Sequence, residues 1–195
     1  MVARFGQSGA RLGRLVRRFA VERRGVSAVE FALILPLMLI IYAGCGEVTT
    51  ALIVDRKVSR AASTISDLVA QQSSISAVAM EGIFDATTAI LEPYDVSVAK
   101  VVLVVVDITS SGQKVAWSKA RRDTAATINV APPAGLAVPS TIATVGDEVV
   151  VGRVTYTFTS PFANVMKSVT GNPVYNLQHV FYLKPRQGKT IAFTG

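Results

Sequence analysis

From Phe31 to Gly46 the chain carries no charged residue, and the stretch before it is crowded with arginine. Extended back to Val26 the span is about 20 residues, interrupted only by Glu30, which is enough to cross a hydrocarbon core of ~30 Å as a helix. Residues 1–24 hold seven arginines (Arg4, Arg11, Arg14, Arg17, Arg18, Arg23, Arg24) against one acid, Glu22, a local charge of +6. Residues 25–195 hold 13 basic and 12 acidic residues, so the overall charge of +7 belongs almost entirely to the N-terminal tail. A buried core helix needs no such flank. Under the positive-inside rule the tail stays cytoplasmic and everything after Glu47 is exported. The organisation expected is a basic cytoplasmic leader over 1–25, a transmembrane helix over 26–46, an amphipathic stalk with a second helix over 47–92, and an exported β-rich domain over 93–195. A single-pass anchor with an exported C-terminal domain is expected.

Composition agrees, since 50% of the residues are hydrophobic and only 17% are charged, which is greasy for a freely soluble domain. A nucleic-acid-binding face would need lysine and arginine spread over the folded body, and the near-neutral body excludes nucleic acid as a partner. The single cysteine, Cys45, excludes an intramolecular disulfide framework. Ala43-Gly44-Cys45 at the end of the apolar run resembles a lipoprotein signal, but Tyr42 stands where that signal carries leucine. The run is also longer than a signal core of about 7–15 residues.

Beyond the span, apolar or small residues recur at Val48, Ala51/Leu52, Val54, Val58, Ala61/Ala62, Ile65 and Leu68/Val69. Steps of three and four make the stripe of an amphipathic helix, with Asp55, Arg56, Arg60, Asp67 and Gln71 on the rest of its surface. One long helix from about 27 to 72 is the simplest structure, bent or locally unwound at Pro36. A break at Gly44–Gly46 into separate membrane and core helices is the alternative. Gln71-Gln72-Ser73-Ser74 is a polar break, a second helix is expected over Ala77–Leu91, and Pro93 ends it.

The chain then turns to β-structure. Val96–Ile108 is valine-dense, as in a buried strand, and Ser110–Gln113 turns it back into Lys114–Ser118. Ala131–Pro139 is a loop. Glu148–Thr159 alternates, with Val150, Val154, Tyr156 and Phe158 on one side and Arg153, Thr155 and Thr157 on the other. Val174–Leu183 supplies a last strand. Helices first and antiparallel strands afterwards give an α+β fold: a long transmembrane and amphipathic helix carrying a small antiparallel sheet.

Residues that could carry chemistry are sparse. His179, the one histidine, lies in a strand without partners at metal-ligand spacing. Asp147-Glu148 reads as a solvated turn, and Asp123 beside Arg121-Arg122 as a charged surface turn. Trp117 and the tyrosines are first explained by strand packing. No glycine-rich phosphate loop, nucleophile elbow or Cys-x-x-Cys is present. Neither a metal nor a cofactor is expected, and the chain does not read as an enzyme.

Glu30 is the anomaly of the span. A carboxylate near the start of a transmembrane helix is costly in lipid unless it lies near the headgroups or finds a cation. Arg24-Gly25-Val26-Ser27-Ala28-Val29-Glu30-Phe31 is similar to the processing site of type IV prepilins, and its continuation Ala32-Leu33-Ile34-Leu35-Pro36 sharpens that to the TadE-like (TadE/TadG) proteins, pseudopilins of tight-adherence (Flp) pili. The resemblance covers about residues 23–70. It implies a prepilin peptidase cut between Gly25 and Val26, with Glu30, the fifth residue after the cut, and Phe31 in the helix that aligns subunits. The sheet packed on the long helix would then be pilin-like. The partners implied are the inner membrane, the prepilin peptidase, the major pilin, other pseudopilins and the pilus platform proteins. An anchored periplasmic binding protein or enzyme, held by the uncut helix or by lipid, is the alternative.

Overall fold

A computed structural model describes residues 23–160, 167, 171 and 174–194. The arginine-rich leader up to residue 22 lies outside the described residues. The chain divides into two compact units at Gly46–Glu47.

The first element, α1 (Arg23–Ala70), is a single α-helix of 48 residues that contains Pro36 and runs without interruption through Gly44 and Gly46. The alternative of a break at those glycines is not what the chain adopts. In the first unit, the apolar side chains of α1 are exposed on every face, Leu33 to 75% and Tyr42 to 80%. A helix apolar all round and covered by none of the described residues suits a non-aqueous surrounding. It is long and apolar enough to cross a membrane.

The second unit combines the rest of α1 with β1 (Ser74–Ser76), α2 (Ala77–Ala89), a 3₁₀ turn (Val96–Val98), β2 (Ala99–Thr109), β3 (Gly112–Arg121), β4 (Glu148–Thr159), β5 (Val174–Leu183) and β6 (Ala192–Thr194). The four long strands form an antiparallel sheet in the order β3-β2-β4-β5. The β2–β3 hairpin turns at Gly112, whose φ of +118° suits a residue without a β-carbon. The fold is α+β, as the pattern indicates.

Ser76 starts α2 by accepting from the Ala79 N–H (3.2 Å). Past the end of α2, Lys57 of α1 donates to the carbonyls of Ile90 (3.0 Å) and Glu92 (2.7 Å). It thereby places a cation where helix carbonyls run out of partners. The second helix is thus tied to the first by polar bonds as well as by the buried Met80 and Phe84.

Both faces of the sheet are covered, which explains the unbroken valines of β2. One face, with Val101, Leu103, Val105, Val150, Val154, Tyr156 and Phe158, packs on Val54, Val58, Ala61, Ala62, Ile65 and Val69 of α1. The other, with Val102, Val104, Val106, Val149 and Val151, is buried under Leu136, Val138 and Ala143. The proline-rich loop is therefore a third layer. Gln113 holds it by a two-way amide bond, donating to the Val138 carbonyl (2.6 Å) and accepting its N–H (2.8 Å). For the same reason β4 alternates only from Arg153 onward, since its first five residues are buried.

One expectation needs correction, and one element was not foreseen. Val48 and Leu52, counted in the core-facing stripe, point outward at 57% and 54% exposure, whereas Glu47 is buried at 1%. The short parallel pair β1–β6, with Ile75 opposite Phe193, was also not anticipated. Three-residue strands carry too little periodicity to be seen.

Candidate functional site

Gly25, Val26, Glu30, Phe31 and Pro36 all lie on α1 and all are exposed. Val26 and Glu30 stand four residues apart, one helical turn, so they share a face. In the intact chain the Val26 nitrogen is an uncharged amide. Hydrolysis of the Gly25–Val26 bond would turn it into an ammonium one turn from the Glu30 carboxylate. Pro36, lacking an N–H, cannot bond the Ala32 carbonyl four residues back and so weakens the helix ladder there.

From Glu47 on, α1 is seated on the sheet and runs antiparallel to β4. At the near end, the buried Glu47 carboxylate accepts from the Ser160 hydroxyl just past β4. Its Oε1 accepts from none of the described residues. About two turns on, Asp55 bonds His179 of β5 (2.8 Å). Farther along, helix and sheet approach closely at Gly152, where an added β-carbon would lie 2.9 Å from Ile65 Cγ2 and 3.2 Å from the Ala62 carbonyl oxygen. At the far end, Arg186 donates its backbone N–H to the Ala70 carbonyl (2.7 Å) and pairs with Asp67. His179 is accordingly a strap between edge strand and helix, and the strand placement read from sequence explains its position.

The C-terminal segment closes that far end. Trp117 on β3 donates from its indole to the Ile191 carbonyl (2.7 Å) and packs on Phe193, over whose ring Lys119 also sits. Glu148 accepts the Ile191 N–H (2.7 Å) and is only 5% exposed. Burial pushes the Glu148 carboxyl up to about 7; the Ile191 N–H opposes the rise and the adjacent Asp107 carboxyl adds to it. The solvated-turn reading therefore fails for Glu148, which faces the buried Ile191. It holds for Asp147, which Lys184 and the Thr144 N–H and hydroxyl bring down to about 2. Asp123 is the charged surface residue anticipated, paired with Arg153 (3.2 Å).

These polar groups join one element to another. Arg121 likewise bridges β3 to α2, reaching Glu81 and Asp85 (both 2.5 Å) and lying over the Phe84 ring. Among the described residues no group of three metal-ligating side chains occurs. A shallow apolar hollow between Ile108, Val138, Pro139, Ala143 and Val145 has Gln113 on its wall, but both ends of that amide are used on Val138. Sequence reasoning missed Glu47, because a charged residue at a span's edge normally faces water. It also passed over Gly152, although a glycine inside a valine strand marks a close backbone approach.

Residues 25–67 match the family model described as TadE-like protein. The match begins at Gly25 and ends within the part of α1 that is seated on the sheet. No curated protein and no solved structure matches the chain.

Proposed function

We propose that this chain, TadE-like over residues 25–67, is a minor pilin or pseudopilin of a tight-adherence (Flp) pilus, held in the bacterial inner membrane by α1 until assembly. Its basic tail faces the cytoplasm and the sheet-bearing unit faces the periplasm. The prepilin peptidase cuts between Gly25 and Val26. The freed α-amino group, on the same subunit or on a neighbour, then neutralises Glu30 and aligns the helix against those of the major pilin and other pseudopilins on the pilus platform. Pairing in a medium of low dielectric offsets much of the cost of placing Glu30 there.

The single observation that carries this reading is the position of the TadE-like match. It covers the exposed apolar part of α1, with Gly25 and Glu30, and continues to Asp67 in the seated part. A chain that only needed anchoring could use any apolar helix, and Glu30 would weaken it. The interelement roles of the polar groups in the second unit favour an assembly subunit over an anchored binding protein or enzyme.

Intact-mass and N-terminal analysis of protein extracted from membranes tests it. A mature chain starting at Val26 is expected. A chain retaining its leader would remove the processing step, and a blocked start at Cys45 would replace the pilin reading by that of a lipoprotein.

A further inference from the structure

Val48, Leu52, Arg56 and Arg60 follow one another at intervals of four along α1, and such a row lies on one side of a helix. Val48, Leu52 and the neighbouring Ile53 are exposed to 57%, 54% and 44%. Arg56 and Arg60 are exposed as well, and neither forms an ion pair with a described residue. On the opposite side, Val54, Val58 and Ala61 are fully buried by the sheet. Glu47, which would end the apolar surface by its place in the sequence, is on that buried side, and Asp55 is engaged with His179. Along α1 the outward side therefore meets no charge after Glu30 until the partly exposed Asp55, which is held by His179, and then Arg56. From Val26 to Ile53 it is roughly 42 Å long at ~1.5 Å per residue. That exceeds a hydrocarbon core of ~30 Å and equals the ~40–45 Å of a bilayer with its headgroup layers.

We infer that the outward face of α1 leaves the membrane at Arg56 rather than at Glu47, with Val48, Leu52 and Ile53 in the acyl–headgroup boundary and Arg56 and Arg60 on lipid phosphates. This rests on the reading of α1 as a membrane anchor. The occupant is a lipid surface because the row continues the apolar span directly and ends in two arginines without an ion-pair partner among the described residues. That is the arrangement in which long cationic side chains keep their stems in apolar surroundings and their heads at phosphate level. Guanidinium also matches phosphate oxygens two bonds at a time. The outer face of the stalk is thereby a lipid-contacting surface while the inner face holds the sheet.

The test uses the full chain with Cys45→Ser, reconstituted in vesicles of phosphatidylethanolamine and phosphatidylglycerol. Single cysteines carrying a nitroxide are placed at Leu37, Leu52 or Val78. Collision with oxygen, which concentrates in lipid, is compared with collision with a water-soluble nickel chelate. Leu37 and Leu52 should both favour oxygen, and Val78, 84% exposed on α2, should favour nickel. Reversing the charges with Arg56→Glu and Arg60→Glu should shift Leu52 toward the nickel-favoured value. Nickel preference at Leu52 with oxygen preference at Leu37 would place the boundary at Glu47 and overturn the inference alone. Shielding of Leu52 from both reagents would mean that protein, such as a second copy, covers it, and would overturn it equally. Loss of oxygen preference at Leu37 would instead bring down the anchor itself.

Discussion

Gly152 on β4 meets Ser66 on α1 with no room for a β-carbon between them: a methyl group there would overlap the Ser66 hydroxyl and crowd Ile65 and the Ala62 carbonyl. In an uncrowded strand, replacing glycine by alanine stabilises by roughly 0.5–1 kcal/mol because the unfolded chain loses freedom. At position 152 the sign should reverse. Gly152→Ala is expected to destabilise the second unit by about 1–3 kcal/mol, the usual range for overpacking. Denaturant titration of the full chain in detergent measures it. A midpoint at or above that of the parent would show that helix and sheet are not in contact there.

Glu148 sets a pH dependence. Its carboxyl rises from an ordinary 4.5 to about 7 in the folded chain, chiefly through burial. Between those values the folded state holds a proton that the unfolded state has released, so stability falls as pH rises. The contribution is fully present below 4.5 and is lost as pH passes 7, about 3 kcal/mol at full strength and on the order of 1–2 kcal/mol after solvent screening. Asp147 acts in the opposite direction and elsewhere, its contribution being lost only as pH falls toward 2. The denaturation midpoint should be higher at pH 5 than at pH 8. Glu148→Gln, which keeps an acceptor for the Ile191 N–H, should flatten that difference. An unchanged slope in the variant would assign it to another group.

Trp117 is the sole tryptophan, and its indole is bonded to the Ile191 carbonyl. Its fluorescence therefore reports on the C-terminal segment. Removal of residues 187–195 deprives Trp117 of both Ile191 and Phe193 and leaves Glu148 without its N–H donor. A red shift of the emission is expected, with a loss of stability. Trp117→Phe, which removes the bond and part of the packing on Phe193, should cost at least about 1 kcal/mol. An unshifted spectrum after truncation would mean that the segment does not cover the indole.

The elements with long periodic patterns were legible from sequence: the uninterrupted apolar span, the helical steps from Val54 to Val69, the valines of β2 and the later half of β4. What escaped was set by distant partners. Val101 to Val106 signals burial on both faces, but nothing local says that Leu136, Val138 and Ala143, in a loop rich in proline, will cover one of them. Glu47 and Val48 exchange their expected sides because Glu47 is held by Ser160, just past the end of β4. Glu148 looks solvated beside Asp147 until Ile191, far along the chain, is laid over it. Gly25, Val26, Glu30 and Phe31 stand out in another way, through a family-like order of residues. The task proposed for them lies between molecules, so a single chain does not display it.

Glu30 is therefore where the proposed assembly role is tested most directly. In cells that make the pilus, Glu30→Ala should leave the chain at normal abundance in the membrane, because the apolar span is unaltered, and should sharply reduce surface pili. Equal numbers of pili on variant and parent cells, counted by electron microscopy at matched membrane levels, would contradict it.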